Sequence, residues 1–293
     1  MTSYETFDFP VRGGQMRAGS WGDADDPVVV GVHGITASHL NFSLIGPELE
    51  GRARVIAPDV RGRGRSSDLP GPYGVSDYAA DLVSLADHLG LERIRLAGHS
   101  MGGYISATAA ALHPDRIESV LLIDGGLTLP TPEDFDADAY IEALLGPSIA
   151  RLSMTFESPE AYTDFWKVHP GLKDYWGPHL DEYVAYDLVS NGAGGFKSCV
   201  SAEAVKEYNY DLLKSDRKTD FTRMQCPTWM VRAERGIFDE VPPFFPDALA
   251  ESLIPGTNIT DLGIIPDTNH WTITFGKEGA ATVANIIEEH LLP

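Results

Sequence analysis

The sequence predicts an α/β protein: a mainly parallel, doubly wound sheet interrupted by an inserted helical cap. Three observations predict it. Continuous β-branched runs alternate with helix-period segments up to residue 124. The alternation fails after residue 126 and returns at "PTWMVRAE" (227–234). The expected division is therefore a core of residues 1–126 and 223–293 with a cap of 127–222.

Taken in order, residues 5–20 alternate and are cut by Gly13-Gly14, which predicts an edge hairpin. "PVVVGV" (27–32) is a continuous β-branched run, as a strand buried on both faces requires, and "ARVIAPD" (53–59), "RIRLAG" (93–98) and "IESVLLID" (117–124) repeat the pattern. Between them, Val75, Tyr78, Leu82, Leu85 and Leu89 recur at helical spacing over 75–89, with Ser76 as the expected N-cap. "MGGYISATAAALHP" is rich in Ala and stops at Pro114, as a helix should. Residues 127–222 hold Pro-broken helical pieces with many Trp and Tyr. "NITDLGII" (258–265) then predicts a strand and 278–291 an amphipathic helix.

Composition narrows the function. The 293 residues carry 22 Lys and Arg against 43 Asp and Glu, a net charge of −21. So negative a chain repels polyanions, which disfavours nucleic acid and an anionic membrane surface as partners. Two cysteines, Cys199 and Cys226, are too few for a disulfide framework or a thiolate zinc site. "MTSYETFDFPVRGG" lacks the basic and apolar regions of a secretory signal, so a cytoplasmic protein is expected. No P-loop, dinucleotide fingerprint or HExxH spacing occurs, so neither cofactor nor metal is expected.

The chemistry is written in "LAGHSMGG" (96–103), where Ser100 stands between Gly98 and Gly102 at the end of a strand and the start of a helix. A chain turning that sharply presents its central side chain outward, and glycine relieves the crowding on either side. The helix start also directs free N–H groups at any negative charge that develops there. A serine hydroxyl is a weak nucleophile without a base oriented by a third group. Among the nine histidines, His88, His113 and His290 fall on predicted helices, and His99 flanks the serine facing away. His270, in the loop after the last strand, can reach back over the sheet edge as the base. Two amides would stabilise the resulting oxyanion: that of Met101 in the elbow, and that of Ile35 after Gly34.

Together, "HGIT" (33–36), "DVRGRGRSS" (59–67), "GHSMGG" (98–103) and "NHWTI" (269–273) resemble the cap-bearing branch of the α/β-hydrolase family, in order along the whole chain. The resemblance implies a serine–histidine–acid triad, an oxyanion hole at Ile35 and Met101, and a lid near 127–222. It also implies structural roles for Asp59, Arg61 and Arg65. Relatives that act as dehalogenases or epoxide hydrolases carry aspartate at the elbow, which argues against both activities here.

The acid departs from the family pattern. The segment that usually supplies it reads "MVRAERGIFDE", with Gly236 near the expected position. Three carboxylates compete: Asp124, at the end of the strand after the elbow helix; Asp239, if the loop is longer; and Glu234. The expected substrate is an ester of a medium-sized, largely apolar small molecule, with Trp166, Tyr175 and Trp176 as candidate pocket walls. A carbon–carbon bond hydrolase, or a lactonase or amidase on the same triad, is an alternative. A non-catalytic small-molecule binding protein on this scaffold is another.

Overall fold

In the computed structural model, which describes residues 4–127, 150–214 and 223–293 with positions 136, 139 and 146, one eight-stranded sheet organises the chain. Strands β1 (Tyr4–Val11) and β2 (Gly14–Trp21) form the antiparallel edge hairpin, turning at Gly13. Then follow β3 (Val28–Val32), β4 (Arg54–Pro58), β5 (Ile94–His99) and β6 (Ile117–Ile123). A separate small hairpin, β7 (Leu188–Ser190) and β8 (Phe196–Ser198), precedes β9 (Thr228–Arg235) and β10 (Ile259–Asn269). The order is β1-β2-β4-β3-β5-β6-β9-β10, and every pairing from β4 to β10 is parallel.

Alternation along the central strands sorts their side chains to the two faces of the sheet. Val30, Val32, Ile56, Leu96, Val120, Leu122 and Met230 join one apolar cluster with Tyr78, Leu82 and Leu85 of the helix Val75–His88 and Ile105 of Met101–Leu112. Val29, Val55, Ala97, Leu121, Ile123 and Val231 join the other, with Val283, Ala284 and Ile287 of the helix Lys277–Leu291. Burial on both faces is why these strands read as largely apolar runs.

One expectation needs revision. Ser76 does not cap its helix. Gly74 occupies the N-cap, and the Val75 N–H donates to the Asp211 carboxylate at 2.8 Å, so a neighbouring helix (Ala202–Lys214) supplies the cap from outside. The expected cap of 127–222 lies partly outside the described residues. Its described portion comprises the helices Pro159–Lys167, Pro178–Asp187 and Ala202–Lys214 and the β7–β8 hairpin, none of which joins the large sheet. Among the described residues no helix is long and apolar enough to cross a membrane.

Candidate active site

Ser100 sits at the turn between β5 and the helix Met101–Leu112 with φ 55° and ψ −118°, a conformation L-residues rarely adopt. The glycines around it have a steric reason. A Cβ on Gly102 would lie 1.9 Å from the Val32 carbonyl oxygen, one on Gly98 2.3 Å from that of Gly102, and one on Gly125 2.2 Å from that of Ser100. The tight packing of β3, β5, β6 and the helix thus forces the strained turn and holds the hydroxyl at the carboxyl edge of the sheet.

His270 follows β10 and meets that hydroxyl. Ser100 Oγ lies 3.0 Å from His270 Nε2 and donates to it, while His270 Nδ1 donates to Asp124 Oδ2 at 2.6 Å. Asp124 follows β6, has φ 43° and is fully buried, and its other oxygen accepts the Ala233 N–H at 3.1 Å. Of the three carboxylates in contention, only Asp124 touches the imidazole. Asp239 instead accepts from Arg235 (2.7 Å) and from the Asn269 amide (2.9 Å). Glu234 accepts from Arg235 and from the Asp267 N–H. Both are bound to neighbours of His270 rather than to His270 itself.

The amide of Met101 is the first of its helix, so it has no carbonyl within the helix to bond. The Ile35 amide is aimed by its surroundings. The carbonyl of the same planar peptide, that of Gly34, accepts from His33 Nδ1 at 2.7 Å and from the Ala37 N–H at 3.2 Å. In a trans peptide the N–H then faces the opposite way. Arg63 holds the next carbonyl, that of Ile35, at 3.0 Å, and the Val60 N–H donates to His33 Nε2 at 3.0 Å. The "DVRGR" loop therefore clamps the "HGI" loop. Burial pushes the pKa of His33 down to about 4, so the ring stays neutral and its two bonds assign the Nδ1–H tautomer.

Sequence reading missed a buried polar frame around these groups. His99 does not face away: its Nε2 lies 2.9 Å from the His270 carbonyl oxygen and its Nδ1 2.9 Å from Asn41 Oδ1. Burial pushes its pKa well down, and a neutral ring has one N–H for these two oxygens. Asn41 also accepts the Gly34 N–H and donates to Thr274 Oγ1, so one side chain joins the loops that carry Ile35, Ser100 and His270. Asn269 accepts the N–H groups of Trp271 and Thr272 and donates to Asp239. The only signal for these residues was their adjacency to the motifs.

The cleft beside Ser100 and His270 is walled mainly by Ile35, Ile237, Phe244, Trp271 and Phe275. The candidate walls Trp166, Tyr175 and Trp176 do not line it. Trp166 packs edge-on behind Trp271 at 5.6 Å, and Trp176 donates to Asp181 beside Lys167. The Tyr175 hydroxyl accepts from Arg235 at 3.5 Å. Hydrogen-bonding and cation–π partners on the surface outcompete the cleft for the last two. Among the described residues no cluster of His, Cys, Asp or Glu has the makings of a metal site.

Comparison with known proteins agrees with this fold. A family model described as the alpha/beta hydrolase fold matches residues 27–151. A serine hydrolase-like protein of Danio rerio is 35% identical over 196 residues, 65% of this chain and 60% of that protein's own length. The 3-oxoadipate enol-lactonase 2 of Acinetobacter baylyi is 23% identical over 72% of each chain. The crystal structure of E-2-(acetamidomethylene)succinate hydrolase superposes with a TM-score of 0.77 at 22% identity, covering 99% of both chains. Strand order, strained serine turn and the family model matched over residues 27–151 converge on the α/β hydrolase fold.

Proposed function

We propose that this protein is a serine hydrolase that cleaves a carboxylic ester of a medium-sized, largely apolar small molecule through an acyl-enzyme on Ser100. One observation carries the reading: Ser100, His270 and Asp124 form a continuous relay of 3.0 and 2.6 Å at the mouth of an apolar cleft. His270 Nε2 takes the proton as Ser100 Oγ attacks the ester carbonyl, and Asp124 stabilises the imidazolium while it exists. The amides of Ile35 and Met101 receive the oxyanion, each worth on the order of 100-fold or more in rate. His270 then returns the proton to the departing alcohol. Water repeats the sequence on the acyl-enzyme and releases the acid.

Two relatives, a serine hydrolase-like protein and an enol-lactonase, support the reading. A lactone is an ester closed into a ring, so the same steps serve it. Hydrolysis of p-nitrophenyl acetate and butyrate tests the proposal. Turnover with an initial burst of one nitrophenolate per chain, lost in Ser100→Ala, is the expected result. Folded wild-type protein that releases no nitrophenolate from either ester overturns it.

A further inference from the structure

Behind the cleft lies a second polar cluster that the mechanism does not use. Among the described residues the three most deeply buried arginines are Arg61, Arg63 and Arg151. Arg61 and Arg63 each have all three guanidinium nitrogens engaged. Arg151 does not. Its Nη1 donates to Asp187 and to the Tyr162 hydroxyl, while Nε and Nη2 are buried with no partner. Those two nitrogens form one side of the planar fork, the geometry that receives both oxygens of a carboxylate.

The surroundings are matched to an acceptor. The partners of Arg151 centre on the Trp166 indole, which the Arg151 guanidinium overlies at 4.8 Å and which Tyr183 and His169 approach at 6.1 and 5.9 Å. The Tyr183 hydroxyl and His169 Nε2 are likewise buried without hydrogen bonds. His169 Nδ1 accepts the Gly171 N–H, and burial together with Arg151 pushes the pKa of the ring down to about 4. The neutral ring therefore carries its proton on Nε2, as a donor. Every unfilled position in the group can donate. Asp187 is already supplied by Arg151, Tyr162, Ser198 and Cys199, so it does not need the free edge of the guanidinium. Each buried donor left unmade costs stability, so several together imply a missing acceptor.

The cluster adjoins the cleft through its walls. Trp166 packs on Trp271 at 5.6 Å, and Tyr183 packs on Phe275 at 4.7 Å; Trp271 and Phe275 both line the cleft beside Ser100. We infer that Arg151, with Tyr183 and His169, is a subsite for a carboxylate on the substrate, so that the preferred ester carries an anionic group remote from its scissile bond. This deepens the hydrolase reading and rests on it for the ester. The binding of the carboxylate can be tested separately.

Two measurements do so. In the first, glutarate is titrated into Ser100→Ala protein and followed by tryptophan fluorescence and calorimetry. The variants are Arg151→Met with Asp187→Asn, which removes the pair without stranding a buried charge, and Tyr183→Phe, which removes one hydroxyl. Saturable binding is expected, weakened at least tenfold by the double variant and about threefold by Tyr183→Phe. No binding, or equal binding in all folded variants, overturns the subsite. In the second, mono-p-nitrophenyl glutarate and p-nitrophenyl butyrate compete as esters. The wild type should favour the anionic ester in kcat/KM, and the ratio should fall at least tenfold in the double variant. A ratio the double variant leaves unchanged also overturns the subsite. If neither ester turns over but glutarate still binds through Arg151, the hydrolase reading fails and the subsite stands.

Discussion

Asp124 and Asp239 both occupy loop positions with positive φ, 43° and 66°, yet only Asp124 is fully buried against the imidazole. Exchange of Asp124 for Asn should present an amide to His270 Nδ1, hold the wrong tautomer and lower kcat by about four orders of magnitude. Asp239→Asn should lower kcat less than about tenfold, with its effect appearing in thermal stability through Asn269. A reversed pair of results would exchange their roles. His99 acts through the His270 carbonyl and is a positioning residue. His99→Phe keeps the bulk and loses the bond, so kcat should fall about 10- to 100-fold with KM within about threefold. His99→Gln, which restores a donor, should recover most of the loss. Equal losses in both variants would mark a packing role only. The meeting of Ser100 with His270 was legible from motif and context because strand, turn and helix prescribe where these side chains stand. Asp124 stayed one of three because a hydrogen bond between loops some 146 positions apart leaves no mark in local sequence.

At the level of elements, the apolar runs placed the central strands within one or two residues, since strands buried on both faces keep mostly apolar side chains along their length. The helix Val75–His88 was legible from its apolar stripe, but not its cap, which comes from Asp211 far along the chain. The aromatic residues of 160–190 misled because Trp and Tyr serve equally as core, as surface cation–π partners and as pocket walls. The elbow itself is a packing problem, and glycine substitutions expose it. Gly102→Ala should destabilise by about 3 kcal/mol or more in urea unfolding, because its methyl group meets the Val32 backbone. Gly90→Ala, at a left-handed φ of +68° but with open space around it, should cost about 1–2 kcal/mol. Equal costs would refute the account of the turn.

Across the whole molecule, the site is a meeting of three loops braced by neutral buried histidines, and this makes stability depend on pH. His33 has a pKa of about 4 in the fold against an unfolded value near 6.5. The unfolded chain therefore binds the extra proton first, and stability present above pH 6.5 is lost as the pH falls toward 4. Between pH 7.5 and 4.5 the wild type should lose about 2–3 kcal/mol more than His33→Asn, by urea unfolding at each pH. Equal losses would place the ring outside the linkage. The central claim joins the bracing to the chemistry: a hydroxyl at the sheet edge made nucleophilic by one imidazole. Reaction with a fluorophosphonate followed by peptide mapping tests it most directly. A single adduct on Ser100, formed at least a thousandfold more slowly in His270→Ala, is predicted. An adduct on another residue, or one that forms as fast without His270, would contradict it.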